Sequence, residues 1–236
     1  MIPKIIHYCW FGDGQMGAIH QRCIESWRKY CPDYELRLWN ESNSNIDNIY
    51  CKEAIARKKW AFVADYVRFD ALAKHGGIYL DTDVELIQSL DSILDHDNCV
   101  IARESPMSIA TGFIACSAND PVMLTARRLM DEELPRKRIF ATSPVIVKHA
   151  ISLHSPQSAL ILAEETFYPF NPYDRSRKPN ARQLMFSDVT ASTIGIHHYG
   201  PVVSWADSRY KRAIARIRRA LSIKLNWELS FTPFSS

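Results

Sequence analysis

The sequence predicts an α/β fold in which helices flank a mostly parallel central sheet. Three apolar runs of strand length, "KIIHYCWF" (residues 4–11), "YELRLW" (34–39) and "IYLD" (78–81), alternate with helical patterns over residues 18–30 and 51–74. Strands joined through helices become parallel by right-handed crossovers. The first run is apolar without interruption, which is typical of a strand buried on both faces. A chain of 236 residues with 47% hydrophobic residues suits one globular domain of this class.

The second half of the chain predicts further elements around the same sheet. In chain order they are a short helix near residues 86–94, strands over 99–104 and 109–116, a helix from about Pro121, a helix over 143–152, late strands over 165–170 and 192–199, and a basic helix over 209–224. No internal repeat or low-complexity tract interrupts this pattern.

The net charge of +3 hides an asymmetry. Residues 209–224 hold seven Lys and Arg and no acid, so the rest of the chain carries −4. A nucleic-acid-binding protein more often spreads basic groups over its fold, and we expect no nucleic-acid partner. Two interpretations of the basic helix stay open. It is either a docking helix with a solvated basic face or a surface helix that contacts anionic lipid.

The cysteines and the hydropathy pattern bear on location. None of the six cysteines forms a CxxC pair or a zinc-like spacing, so we interpret them as small buried hydrophobes. No sequence window reaches the eighteen or so apolar residues that a membrane span needs. We therefore expect a reduced, cytoplasmic protein. Lipid contact by the basic helix would add a peripheral position on the inner face of the cell membrane.

The turn "FGDGQMG" matches the dinucleotide fingerprint G-x-G-x-x-G through Gly12, Gly14 and Gly17. It follows a strand and precedes a helix, and Glu41 lies at the distance expected of the ribose-binding acid. Asp13, however, would place a negative charge inside the pyrophosphate cradle. We favour a plain flexible turn and keep a dinucleotide-binding oxidoreductase as an alternative.

Two carboxylates, Asp81 and Asp83, stand where the third predicted strand ends. Strand side chains alternate faces, so both should point the same way and repel each other unless a cation lies between them. Oxygen ligands of this kind suit Mg²⁺ or Mn²⁺ and leave room for substrate phosphates. An isolated D-x-D is more often an Asx turn. The stretch also resembles the haloacid-dehalogenase phosphatase motif, with Asp81 as nucleophile and Asp83 as acid/base, which is the hydrolase alternative.

The helix before this strand is apolar on almost every side, but Asp65 and Arg68 interrupt it. Residues three apart share a helix face, so the two can form an ion pair. Buried ion pairs stabilise a fold poorly, because desolvation offsets their attraction. Their place directly before the D-x-D strand favours a binding site over a purely structural pair.

Four stretches together resemble glycosyltransferase family 32, whose relatives include bacterial capsular and lipopolysaccharide glycosyltransferases and the fungal initiating mannosyltransferase. They are "IPKIIHYCWFG", "CIESWRKYCPDYELRLWNESN", "KKWAFVADYVRFDALAKHGGIYLDTDVEL" and "IGIHHYGPVVSW". The resemblance implies a GT-A fold, a nucleotide-sugar donor, a divalent metal (Mn²⁺ or Mg²⁺) and transfer with retention of configuration. It is dense over residues 1–94 and returns at 197–205.

The same resemblance assigns roles by position. It implies that Asp81 and Asp83 hold the metal and donor, that Asp65 and Arg68 grip the donor sugar and diphosphate, and that Tyr79 precedes the motif. Either His197 or His198 would complete the metal site. Three tryptophans are also candidates: base stacking competes with core packing for Trp10 and Trp39, and phosphate closure with packing for Trp205.

The sequence thus predicts a metal-dependent retaining glycosyltransferase. It would move a sugar, such as the hexose of a UDP-hexose, to a saccharide or lipid-linked glycan acceptor in surface polysaccharide synthesis. We expect a catalytic domain over residues 1–205, with a nucleotide-sugar half (1–104) and an acceptor half (105–205), followed by a basic helix and tail (206–236). Besides the phosphatase and the oxidoreductase, a non-catalytic sugar- or Ca²⁺-binding protein remains an alternative.

Overall fold

A computed structural model describes residues 1–172, 184–199 and 231–234. The strands are β1 (Ile5–Cys9), β2 (Glu35–Trp39), β3 (Gly77–Leu80), β4 (Val84–Leu86), β5 (Cys99–Ser105), β6 (Ser108–Cys116), β7 (Ile139–Ala141), β8 (Ala159–Leu162), β9 (Gly195–His197) and β10 (Phe231–Pro233). Six of them form the central sheet in the order β2-β1-β3-β6-β5-β8. Only β6 runs against its neighbours in this sheet, so the predicted mostly parallel sheet is confirmed.

Helices cover both faces of this sheet. They are α1 (Ala18–Tyr30), α2 (Ile49–Ala56), α3 (Trp60–His75), α4 (Asp91–Leu94), α5 (Pro121–Arg128), α6 (Leu134–Lys137), α7 (Ser143–Ser152) and α8 (Glu164–Phe167). A π-helical segment, Leu129–Glu133, joins α5 to α6. The structure therefore has the predicted α/β architecture with three layers.

Two element predictions are wrong. The helix predicted over residues 51–74 is interrupted at Lys58, whose φ of 52° is outside the helical range, so it is two helices. The strand predicted over residues 165–170 is instead the short helix α8. The ring of Phe167 in α8 stacks on Phe113 of β6 at 3.8 Å, which shows that tertiary packing overrides the strand propensity of this aromatic run.

Each face of the sheet has its own apolar core. One lies between the sheet and α3, α5 and α7, with Phe69 and Ile114 among its fully buried members. The other lies between the sheet and α1, β4 and α8. Its largest side chain, Trp27, is fully buried and donates its indole N–H to the carbonyl of Val84 at 2.7 Å. The second core thereby fixes β4, which directly follows the D-x-D segment.

The link from α3 to β3 depends on two glycines. Gly76 and Gly77 have φ of 62° and 95°, a region that other residues adopt only with strain. A Cβ on Gly76 would lie 2.5 Å from the backbone nitrogen of Ala118. The glycines let the chain reverse within two residues, so β3 runs back along the helix that precedes it.

The end of the chain returns to the main body. Strand β10 pairs antiparallel with β7, and Phe234 is buried against Phe140. The basic helix predicted over residues 209–224 lies outside the described residues. All six cysteines are buried and free, as expected. Among the helices that the structure describes, none is both long and apolar enough to cross a membrane.

Candidate active site

A cavity of about 520 Å³ opens at the carboxyl ends of β1, β3 and β5. Ligands of open α/β sheets bind at this edge. Helix α3 runs opposite to the strands, so its first half also faces the cavity. Its lining comes from the segments that follow β1 and β3, from α3, from the β5–β6 hairpin, from the start of α7, and from His20, Tyr168 and His197.

Asp81, Asp83 and His197 converge in this cavity. Strand β9 pairs antiparallel with β4, and Val84 lies opposite His197 in the register. The pairing brings His197 Nε2 to 3.2 Å from Asp83 Oδ1 and 4.0 Å from Asp81 Oδ2. One ligand atom of each residue lies within 4.8 Å of the others. A residue 114 positions away thus joins the two carboxylates of the D-x-D.

Charge explains why these groups lie together. Burial lowers the pKa of His197, but its hydrogen bond to Asp83 and the charges of Asp83 and Asp81 outweigh burial and raise it above the ordinary value. The protonated imidazole therefore offsets part of the carboxylate repulsion. A divalent cation would do so more fully, and two carboxylates with one neutral imidazole form a donor set that fits Mn²⁺ or Mg²⁺.

Arg68 supplies the second positive charge. It is 5% exposed, and its Nη2 lies 2.9 Å from Asp81 Oδ1 and 3.3 Å from Asp65 Oδ1. Its Nη1 donates to the carbonyl of Thr111 at 2.5 Å, and its guanidinium lies 4.2 Å from the ring centre of Tyr79. Burial opposes its charge, yet the carboxylates of Asp81 and Asp65 raise its pKa above the ordinary value. The Tyr79 hydroxyl also donates to Asp81 Oδ1, at 3.1 Å.

Asp65 is held from its other side by α7. The Ser143 hydroxyl donates to Asp65 Oδ1 at 2.7 Å, and the Ser143 backbone N–H donates to Oδ2 at 3.3 Å. Since that proton of Ser143 is used, its oxygen accepts from the Thr111 hydroxyl at 2.8 Å. Burial raises the pKa of Asp65, and Arg68 and Ser143 counteract the shift. This chain of contacts joins α7, β6 and α3 around a single carboxylate.

Two interruptions in the β5–β6 ladder shape the cavity. Ile101 pairs with Ile114 and Ala102 with Ala110, so three residues of β6, 111–113, have no partner on β5. Farther along, Arg103 pairs with Ile109 and Ser105 with Ser108, which leaves Glu104 as the extra residue on β5. Bulges of this kind re-aim side chains and are common beside active sites.

Gly112 lies in the first bulge, directly under the acidic cluster. A Cβ at this position would lie 2.9 Å from Asp81 Oδ2, 3.0 Å from the Tyr168 hydroxyl and 3.2 Å from His197 Cδ2. The backbone carbonyl of Gly112 also accepts from the N–H of Asp81 at 2.8 Å. The missing side chain therefore makes room for three groups of the site.

Two predicted site residues lie elsewhere. His198 points away from the two aspartates, because adjacent strand residues face opposite sides, and its Nε2 lies 2.7 Å from Glu85 Oε2. Trp39 does not line the cavity. Its indole donates to the buried His7 Nδ1 at 3.0 Å and stacks on His75 at 5.7 Å.

The aromatic wall of the cavity consists of Trp10, Phe11 and Trp60. The Trp10 indole donates to the carbonyl of Gly14 at 2.5 Å and packs edge-on to His20 at 4.9 Å. Trp205 lies outside the described residues. Sequence analysis did not single out Trp60, the first residue of α3, as a cavity residue. It also did not single out four cavity residues that no local pattern marks, Glu104, Gly112, Ser143 and Tyr168.

The glycine-rich turn has a structural explanation. The N–H of Gly12 donates to Glu41 Oε1 at 2.6 Å, so the acid considered for a ribose hydroxyl closes the turn instead. Gly12 has φ of 87°, and a Cβ there would lie 2.9 Å from the Trp60 indole nitrogen. These contacts favour a turn that supports the aromatic wall over a dinucleotide cradle.

The site and fold agree with the comparisons. The family model described as "Glycosyltransferase sugar-binding region containing DXD motif" matches residues 17–100. Inositol phosphoceramide mannosyltransferase 3 of Schizosaccharomyces pombe is 32% identical over 151 residues, covering 57% of this chain and 38% of that protein. An uncharacterized glycosyltransferase of Acanthamoeba polyphaga mimivirus is 29% identical over 101 residues, covering 40% of each. The solved structure titled PaToxG Glycosyltransferase aligns with a TM-score of 0.54 at 18% identity, covering 66% of this chain and 70% of that one.

These matches define the class. The fold is of the GT-A glycosyltransferase type, and the chain carries the DXD sugar-binding region, so the predicted resemblance to glycosyltransferase family 32 is confirmed. The chain spans about two fifths of the length of the curated relatives it matches.

Proposed function

We propose that this protein is a metal-dependent glycosyltransferase that moves a sugar from a nucleotide-sugar donor to a hydroxyl group of a saccharide or lipid-linked glycan. The observation that carries this proposal is the convergence of Asp81, Asp83 and His197 beside the buried Arg68. Acids and cations alternate there in a pattern that suits a metal–diphosphate complex. When His197 is neutral, the charges of the three aspartates (Asp65, Asp81 and Asp83), Arg68 and His197 add up to −2, and a divalent cation neutralises this charge.

In this proposal the donor binds in the cavity from the cluster outward. When bound, Mn²⁺ or Mg²⁺ would be held by Asp81, Asp83 and His197 and would neutralise charge on the departing diphosphate. Arg68 orients Asp81 and adds positive charge on the same side. Asp65, held by Ser143, would accept a hydrogen bond from a donor sugar hydroxyl. The aromatic wall offers flat surfaces for the nucleotide base.

In this proposal the anomeric configuration is retained, because the acceptor hydroxyl attacks the anomeric carbon on the same face from which the diphosphate leaves. The oxygen of the acceptor hydroxyl bonds to the anomeric carbon as the carbon–diphosphate bond breaks and its electron pair stays on the diphosphate oxygen. The hydroxyl proton passes to that departing oxygen. Arg68 supports the charge that develops there. UDP and GDP sugars are both candidate donors.

The acceptor class rests on the curated relatives. The name of the Schizosaccharomyces pombe protein denotes mannosyl transfer to inositol phosphoceramide. This supports a lipid-linked or other glycan acceptor here, and we propose surface polysaccharide or glycolipid synthesis at a membrane surface in the cytoplasm. The phosphatase alternative has no support from the comparisons, and Asp81 Oδ1 is already bonded to Arg68 and Tyr79.

Thermal unfolding with UDP or GDP, in Mn²⁺ or in EDTA, tests the proposal. A ligand at a hundred times its dissociation constant stabilises by about 2.7 kcal/mol, or about 5–10 °C for a chain of this size. We expect this shift with one nucleotide only when Mn²⁺ is present, together with Mn²⁺-dependent release of that nucleotide from its sugar donors. Asp83→Asn and His197→Ala should abolish the shift, and the neighbouring His198→Ala should keep it. A wild-type protein that binds neither nucleotide would refute the proposal.

A further inference from the structure

Glu104 is the fourth carboxylate of the cavity, beside Asp65, Asp81 and Asp83. The contacts above give the three aspartates their places: Asp65 with Ser143 and Arg68, the other two at the cation cluster. Glu104 comes from the β5–β6 hairpin, near the carboxyl end of β5.

Glu104 lies at the second bulge, where it is the extra residue on β5, and it lines the cavity. Asn171, which is 7% exposed, donates its amide to the Glu104 carbonyl at 3.1 Å and fixes the backbone. The Ser108 hydroxyl lies 3.3 Å from Glu104 Oε1 and 2.6 Å from the Ser105 hydroxyl. The carboxylate is therefore held in a defined place.

That place opens on the proposed reacting centre. Glu104 lines the same cavity as Asp81, Asp83 and His197. The adjoining hairpin tip is open, with Met107 84% exposed.

We propose that Glu104 binds the acceptor by accepting a hydrogen bond from one of its hydroxyl groups. The inference rests on the proposed glycosyltransferase function and deepens it by assigning the acceptor subsite to the β5–β6 hairpin. A carboxylate accepts from hydroxyl groups and forms charge-assisted bonds about twice as strong as neutral ones. The ligand class is therefore a neutral polyhydroxyl compound, such as a sugar or an inositol, presented beside the donor sugar.

The test separates acceptor use from donor use. Nucleotide release from the donor sugar is followed with Mn²⁺ while methyl α-mannopyranoside or myo-inositol is titrated as the acceptor probe. Wild-type release should rise above its hydrolytic background. In Glu104→Gln, the probe concentration for half-maximal acceleration should rise about tenfold or more. The reason is that the charged carboxylate that accepts the probe's hydrogen bond becomes a neutral amide. The donor KM and the background hydrolysis should stay within about twofold.

Glu104→Ala should act in the same direction with a larger effect, and Glu132→Gln, an exposed acid outside the cavity, is the matched control. Equal probe dependence in Glu104→Gln and wild type would overturn the subsite while leaving the transferase intact. So would a wild type that hydrolyses the donor but responds to neither probe. If the donor KM and the probe concentration for half-maximal acceleration rose together, the effect would be structural, and this result would equally overturn the subsite. Absence of Mn²⁺-dependent nucleotide binding in wild type would instead refute the proposed function.

Discussion

Gly112→Ala tests whether the described geometry of the cluster is the geometry that binds metal. Ordinary van der Waals contact begins at 3.4 Å, and the new Cβ would lie 2.9 Å from Asp81 Oδ2. The oxygen must therefore move by the difference of about 0.5 Å, and the Tyr168 hydroxyl by about 0.4 Å. Metal ligands tolerate deviations of about 0.2 Å, so Asp81 would leave its position.

Two magnitudes follow from this displacement. Overpacking a buried site costs about 1–3 kcal/mol, which for 236 residues lowers Tm by about 2–4 °C per kcal/mol. Disturbing the groups that orient metal ligands typically weakens metal binding by about 10–100-fold. We therefore expect Gly112→Ala to remain folded but to need at least about tenfold more Mn²⁺ for half-saturation.

Calorimetric titration with Mn²⁺, beside thermal unfolding in EDTA, measures both effects. Gly14→Ala is the matched control, because a Cβ there meets nothing within 4 Å. It should leave the Tm and the Mn²⁺ affinity unchanged. If Gly112→Ala binds Mn²⁺ within about twofold of wild type, the reasoning fails, because Asp81 would then not bind metal from this position.

Two further predictions concern buried charge. Arg68→Met leaves the carboxylates of Asp65 and Asp81 without their cation and should destabilise the protein by about 3–5 kcal/mol in urea unfolding at neutral pH. Arg57→Met, at a partly exposed helical pair, should cost no more than about 1 kcal/mol, and equal losses would contradict the prediction. Burial lowers the pKa of His7 to about 4, below the value of about 6.5 in the unfolded chain. The unfolded state therefore takes up the proton first, and stability that is complete above pH 6.5 should fall by about 3 kcal/mol by pH 4. His7→Gln should lack this part of the pH dependence, and identical pH profiles would refute the assignment.

Strand and helix patterns predicted the fold well where local signals agree with packing. The bounds of α1 and α7 match the predicted residues 18–30 and 143–152. The break at Lys58 has no local signal, because "ARKKW" holds neither glycine nor proline. The helices on either side of it pack on each other, with Tyr50 of α2 edge-on to Phe62 of α3, and a single sequence does not reveal this contact.

The site shows the same division. Asp65, Arg68, Asp81 and Asp83 could be singled out because charges stand out in apolar runs. The choice between His197 and His198 depended on strand register, and only the pairing of β9 with β4 shows which one faces the aspartates. Trp39 has the right place in sequence but a partner, His7, that no pattern announces.

The two bulges of the β5–β6 hairpin serve the two proposed substrates separately. The matched family region ends at residue 100, and of the residues proposed to contact the metal and the donor, all but His197 come before that point. The hairpin that follows contributes in two ways. At Gly112 it contributes empty space beneath the cluster, and at Glu104 it contributes a side chain at the open end of the cavity. Since the tip beyond Glu104 holds only two residues outside the strands, a change in its length or sequence can alter the acceptor subsite without moving Gly112. In our proposal, acceptor choice therefore depends on the hairpin, and donor activation depends on the helix and strand that precede it together with His197.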